Sequence, residues 1–288
     1  SAVTVENTGS GDTSIAVPSD AANYMDLSSL TTFADSLMKT ADLKQYRITG
    51  TINANMSIIG IPINANIPMD FRLKLNADNT VQSAYINLDV PYFIGVLQQD
   101  MTAKVYYEDG VLYFDRNWET STGALWWKEY YDHHEYMKCT IDEFMANPMK
   151  YVYFCTNFTS MVENAINDAI AKSDQKAVRT GNIMFEEALT GFHYNGSNQW
   201  NVNLDAAHLI NNSDFSDQMS ITVGKGSNGI LNSISLSTRV LDMINLQLNN
   251  GQLVNADKSN VDMSVIPTGL SSNPNYVFGE VKVVETKK

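Results

Sequence analysis

Between Tyr46 and Leu75 apolar and polar residues alternate with a period of two, the pattern of strands that bury one face. From Tyr46 to Ile58 the even positions read Tyr46, Ile48, Gly50, Ile52, Ala54, Met56 and Ile58, while the odd ones carry Arg47, Thr49, Thr51, Asn53, Asn55 and Ser57. From Ile61 the apolar set moves to odd positions, through Ile63, Ala65, Ile67, Met69, Phe71, Leu73 and Leu75. A phase change at Gly60 predicts a hairpin whose two strands keep their apolar side chains on one face. Pro62 and Pro68 lack the amide hydrogen of a central ladder and point to a sheet edge or a bulge.

The alternation continues through Ala84, Ile86, Leu88 and Val90, and then through Val105–Tyr107 and Val111–Phe114 around a turn at Asp109-Gly110. Trp126–Tyr131 is expected to form an aromatic strand. Further strands are predicted at Ile183–Leu189, Trp200–Leu204, Met219–Val223, Ile230–Val240, Ile244–Leu248 and Val261–Val265, with turns at Asn195–Asn198, Gly224–Gly229 and Asn249–Gly251. Helical spacing occurs twice. Leu27, Leu30, Phe33, Ala34, Leu37 and Met38 predict a helix of about four turns. Thr140-Ile141-Asp142-Glu143 matches a capping box, and Pro148 is expected to end the helix that it opens. Phe154, Phe158, Met161, Val162, Ala165, Ile166, Ala169 and Ile170 then line one side of a longer helix over about 151–171. The order helix, strands, helix, strands predicts a mainly β, α+β fold: a long curved antiparallel sheet or half-barrel with helices packed on its concave face.

Composition narrows the function classes. The chain of 288 residues carries 32 Asp and Glu against 19 Lys and Arg, a formal net charge of -13. That charge opposes nucleic-acid phosphates, so no nucleic-acid partner is expected. No run approaches the roughly 18 apolar residues of a membrane-spanning helix. Residues 1–26 begin with a Ser-, Thr-, Gly- and Asp-rich stretch that reads as a flexible tether, and 27–288 as a single domain with a helical segment at about 140–173. The tether suggests an extracytoplasmic protein anchored at a bacterial cell surface through a removed N-terminal segment. Cys139 and Cys155 allow either one disulfide or two buried thiols.

The leading helix, the hairpin Tyr46–Leu75, the run Tyr106-Tyr107-Glu108-Asp109-Gly110-Val111-Leu112-Tyr113-Phe114 and the following Trp126-Trp127-Lys128 together resemble the bacterial LolA/LppX-type envelope lipoproteins. That resemblance covers about two thirds of the chain and rests on the order of elements. It implies an incomplete barrel curled around helices and an apolar cavity for lipid chains. The residues expected to line such a cavity are Ile52, Met56, Ile63, Ile67, Phe71, Phe158, Met161, Ala165 and Ala169, with space opening near the two alanines.

Candidate chemistry is sparse. Gly224-Lys225-Gly226-Ser227-Asn228-Gly229 has dinucleotide-loop spacing, but a strand pattern follows it, so a hairpin turn is expected. Asp132-His133-His134-Glu135 contains four metal-ligand types, of which only His133 and Glu135 share a side in an extended segment, and a solvated polar loop is the expectation. No nucleophile elbow or zinc-helix motif occurs, and Glu186, Glu187 and His193 are the titratable groups that an unrecognised enzyme site would draw on. No catalytic residue, metal or cofactor is assigned. The aromatic cluster from Tyr106 to Tyr131 is expected to be core, with one or two rings exposed, and the tip Ile58-Ile59-Gly60-Ile61 needs cover from the chain, a partner or a lipid. The sequence thus predicts an exported, non-enzymatic binding protein for a hydrophobic small molecule or lipid, with an envelope protein as a possible partner. The alternative is a cell-surface module that binds a protein or glycan through exposed aromatics.

Overall fold

The predicted hairpin forms in register. In the computed structural model, which describes residues 29–58, 61–90, 100–156, 189–205, 215–240 and 244–288, β1 (Gln45–Ile58) pairs antiparallel with β2 (Ile61–Leu75). Ile48 lies opposite Phe71, Ile52 opposite Ile67 and Met56 opposite Ile63. The phase change at Gly60 is what keeps these pairs on one face.

The meander continues through β3 (Val81–Val90), β4 (Met101–Glu108), β5 (Val111–Thr122) and β6 (Glu129–Thr140). A second one comprises β7 (Leu189–Tyr194), β8 (Gln199–Leu204), β9 (Phe215–Lys225), β10 (Leu231–Val240) and β11 (Ile244–Leu253). The two meanders join where β11 pairs with β1, and β12 (Lys282–Lys287) adds to β6. Among the described residues the result is one antiparallel sheet of twelve strands, ordered β12-β6-β5-β4-β3-β2-β1-β11-β10-β9-β8-β7. The strands β1 and β2 are therefore central, but among the described residues the β2–β3 ladder begins only at Met69, so Pro62 and Pro68, opposite Ser57 and Thr51 of β1, have no ladder partner on the β3 side. The prolines thus occupy a stretch where β2 is locally an edge, in keeping with their missing amide hydrogens.

The register carries the apolar side chains of both meanders onto one face, and two helices cover it in separate places. Helix α1 (Leu30–Ala41) inserts Phe33 against Phe192 and Trp200, with ring centroids 5.2 and 5.5 Å apart. Ser29 Oγ accepts from Trp200 Nε1 at 3.0 Å, and Thr40 Oγ1 accepts from the backbone of Leu231. Phe33, Ser36 and Thr40 thus form the docked side. Leu37 and Met38, expected on the apolar stripe, are exposed. Phe192, Trp200, Val202, Leu204, Met219 and Val223 complete this core.

Thr140 caps α2 (Ile141–Ala146) through the reciprocal bonds of a capping box with Glu143, and Pro148 opens α3 (Pro148–Thr156). From α3, Tyr151 stacks on Phe114 at 5.1 Å and Phe154 meets it edge-on at 6.2 Å. Met101, Ala103, Met137 and Cys139 fill the core below. Cys139 and Cys155 are both free and buried, and burial pushes the Cys155 thiol up to about 12. The tether, Ile183–Glu187 and the longer helix beyond residue 156 fall outside the described residues.

Four sequence expectations are corrected. Trp126–Tyr131 is not one strand: β5 and β6 pair from Thr122 and Glu129 onward, so the chain must reverse between them, and a 3₁₀ turn at Leu125–Trp127 does it. Asn249–Gly251 is a β-bulge within β11, where the register against β1 shifts. The segment 261–265 forms no strand, because side chains satisfy its backbone: Gln45 Oε1 accepts from Val261 N and Arg72 Nη1 donates to the Asp262 carbonyl. Asp132–Glu135 lies inside β6 between β5 and β12, not in a loop.

Candidate ligand-binding face

Among the described residues the apolar face carries two helix-covered cores, with Ile52 and Leu246 packed against the α3-side one and Leu236 against the α1-side one. Between them, across β2, β1, β11 and β10, Phe71, Ile48, Ile52, Leu246, Leu248 and Leu236 are all half-buried. Register makes them neighbours: Phe71 faces Ile48, Ile52 faces Leu248, and Leu248 faces Leu236. Strands this rich in Ile and Leu form where one face is shielded from water, and this strip has only partial shielding.

Three of the nine predicted lining residues fall in or beside this strip. Ile67 is buried in the α3-side core, with Ile52 packed against that core, and Phe71 is half-buried. Met56 and Ile63 oppose each other in the ladder, although their side chains lie outside the described residues. Phe158, Met161, Ala165 and Ala169 lie outside them altogether. Leu236, Leu246 and Leu248 escaped the prediction because β11 pairs with β1 over a sequence separation of about 200 residues, which periodicity cannot show.

The opposite face is polar. One row crosses the sheet as Asn66, Asn53, Gln247, Ser237, Ser220 and Asn203, each opposite the next. An open groove of about 570 Å³ lies along this face, lined by Thr190, Asn203, Gln218, Ser220, Arg239 and Asn245. Toward β12 the same face is covered by the C-terminal segment, where Leu270 and Tyr276 pack on Tyr85, Tyr106 and Tyr113. Arg47 and Arg72 both bond Asp70 there, at 3.0 and 2.8 Å. Burial works to raise the Asp70 carboxyl, but hydrogen bonds from Arg72 and Arg47 outweigh it and hold the group below the usual carboxylate range.

The polar groups of β5 and β6 are used structurally. His133 stacks on Trp118 at 5.2 Å and shares a hydrogen bond with Thr120, while Glu135 accepts from Arg116 Nε at 2.7 Å. Arg116 also donates to the Phe154 carbonyl and lies 4.5 Å from its ring. His134 points to the other face, with its Nδ1 3.8 Å from Asp115 Oδ1, beyond hydrogen-bond range. Burial raises the Asp115 carboxyl, against the opposing charges of His134 and Lys104. No group of three or more metal-ligating side chains occurs among the described residues. His193, on β7, is exposed.

The turn Gly224–Gly229 closes the β9–β10 hairpin, with Gly226 N donating to Ile230 O, so its dinucleotide-like spacing has no phosphate site behind it. The aromatic cluster divides. Tyr106, Tyr113 and Phe114 are core, whereas Trp126, Trp127 and Tyr130 are 84, 75 and 40% exposed, one ring more than expected. Among the described residues no helix is long and apolar enough to cross a membrane. No family model matches the chain, and no curated protein matches it in sequence.

Proposed function

We propose that this is an extracytoplasmic binding protein that holds a lipid-like hydrophobic molecule against the apolar face of its sheet, and that it performs no catalysis. The half-buried strip of Phe71, Ile48, Ile52, Leu248, Leu246 and Leu236 between two separately covered cores carries this reading. A continuous aliphatic track about four strands wide spans some 15–20 Å at the usual interstrand spacing, the length of an extended acyl chain. Curvature of the sheet around such a ligand, with helices on the concave side, belongs to the same proposal, as does the likeness to LolA/LppX-type lipoproteins.

Native mass spectrometry of the purified protein, followed by thermal shifts of delipidated protein with acyl-chain ligands of graded length, tests it. The expected result is a co-purified lipid mass or a ligand-dependent rise in Tm that grows with chain length. Absence of both contradicts the proposal.

A further inference from the structure

Hairpin ends on the two sides of this sheet differ in chemistry. One side holds the polar turns 76–80, Asp109-Gly110, 195–198 and 226–229. The other receives the connections after β1, β3, β5, β8 and β10, because Ile58 pairs with Ile61, Val90 with Met101, Thr122 with Glu129, Leu204 with Met219 and Val240 with Ile244. In sequence those connections read Ile-Gly, Pro-Tyr-Phe-Ile-Gly-Val-Leu-Gln-Gln-Asp, Gly-Ala-Leu-Trp-Trp-Lys, Asp-Ala-Ala-His-Leu-Ile-Asn-Asn-Ser-Asp and Leu-Asp-Met, so four of the five carry large apolar residues with few charges and the one after β8 is mixed. Of the five, the described turn between β5 and β6 places two adjacent indoles, Trp126 and Trp127, in solvent at 84 and 75% exposure.

An exposed tryptophan pair needs a reason, since each ring carries a large apolar area that water disfavours. The turn is also tight. Gly123 has φ +87°, and a Cβ there would fall 2.2 Å from the Trp127 carbonyl oxygen, so the backbone closes tightly beneath the rings. The surrounding charges cancel. Lys287 bonds Glu129 at 2.6 Å, Lys288 pairs with Glu119 and Asp132, and the remaining Lys128 sits 5.4 Å from the Tyr130 ring. Around this turn Lys128, Lys287 and Lys288 thus stand against Glu119, Glu129 and Asp132.

We propose that the Trp126–Trp127 turn docks this end of the sheet onto the surface of an electrically neutral lipid bilayer, with the two indoles seated at headgroup depth. Tryptophan suits that depth because its ring is apolar and its N–H can still meet water or a phosphate oxygen. A locally balanced charge on a chain of net -13 fits a zwitterionic surface and disfavours an anionic one. This is a surface contact and stands apart from ligand binding on the apolar face.

The test is flotation of the full chain with phosphatidylcholine vesicles, with and without brominated acyl chains, at low and high salt. Three proteins are compared: wild type, Trp126→Ser/Trp127→Ser, and Met145→Ser, which removes an exposed apolar residue beyond the opposite end of β6. Wild type and Met145→Ser should float equally, independently of salt, with tryptophan emission blue-shifted and quenched by bromine. The double variant should lose flotation by about tenfold or more and lose the quenching. It should keep its circular dichroism and any acyl-probe binding, since both side chains stand clear of the core. Equal flotation of the double variant overturns the proposal, as does wild type that ignores phosphatidylcholine or binds only anionic vesicles at low salt. A salt-stable dimer that the double variant abolishes, without flotation, identifies a second copy as the occupant and equally overturns it.

Discussion

Asp70 shows how one side chain ties the ends of the chain together. It sits between Arg47 on β1 and Arg72 on its own strand, and Arg72, itself buried, donates to the backbone of Asp262 in the C-terminal segment. Asp70→Asn leaves that guanidinium without its charged acceptor and should cost about 1.5–3 kcal/mol in urea denaturation at pH 7. Because the folded carboxyl titrates below its unfolded value, its stabilisation is present above the ordinary carboxylate range and is lost as pH falls through the lowered value. The variant should therefore show a shallower acid limb than wild type, and parallel limbs would contradict this role. Asp115 has the opposite sign. Burial raises it, so its contribution is fully present below the unfolded carboxylate pKa and lost as pH rises through the raised value. Lys104 and His134 face it, and Tyr106, Tyr136 and Tyr276 surround it, but its Oδ1 accepts no hydrogen bond. Asp115→Asn should raise Tm at pH 7 and lose that advantage toward pH 3. A fall in Tm at pH 7 would show that the ionised carboxylate is needed there.

Elements were legible where a local pattern specifies them and opaque where a distant partner does. The β1–β2 register, the Asp109-Gly110 turn and the Thr140 capping box follow from residues within a few positions of one another. The bulge in β11 does not. Asn249-Asn250-Gly251 has turn chemistry, and Asn250 does take a positive φ of 53°, yet β1 and β10 on either side hold the strand extended through it. Gly251 is needed for that closeness: a Cβ would fall 2.3 Å from the Ile234 carbonyl oxygen. Gly251→Ala should cost about 2 kcal/mol or more in urea denaturation, whereas a loss under about 0.5 kcal/mol would mean the strands can separate there cheaply. Strand β12 was missed because Val283 is exposed and Glu285 reaches back to His133, leaving only Val283-Val284 as a β signal. Helix α1 was placed correctly but rotated, since Ser29 and Thr40 dock it by hydrogen bonds that a hydrophobic stripe does not register, and the buried Ser36 satisfies its hydroxyl on the Thr32 carbonyl.

At the scale of the whole molecule, among the described residues, α1 and α3 cover the apolar face of a twelve-stranded sheet in two places and a half-buried strip lies between them. The β1–β11 pairing brings Leu246 and Leu248 beside Ile52 and fuses two meanders into one face. The sequence carried half of this strip, through Ile48, Ile52 and Phe71, and concealed the half contributed by the second meander. The alternating polar positions were equally legible, and they now form the amide and hydroxyl row of the opposite face. An apolar track that runs from the α3-side core to the α1-side core is the central claim, and Leu248 lies in the middle of it. Titration of delipidated wild type and Leu248→Asn with a fluorescent acyl-chain probe tests that claim most directly. The account predicts saturable binding to wild type and about tenfold or greater weakening in Leu248→Asn, with circular dichroism unchanged, because an unpaired amide in an apolar track costs about 1–3 kcal/mol. Equal affinity in the two proteins, or no saturable binding to either, would contradict it.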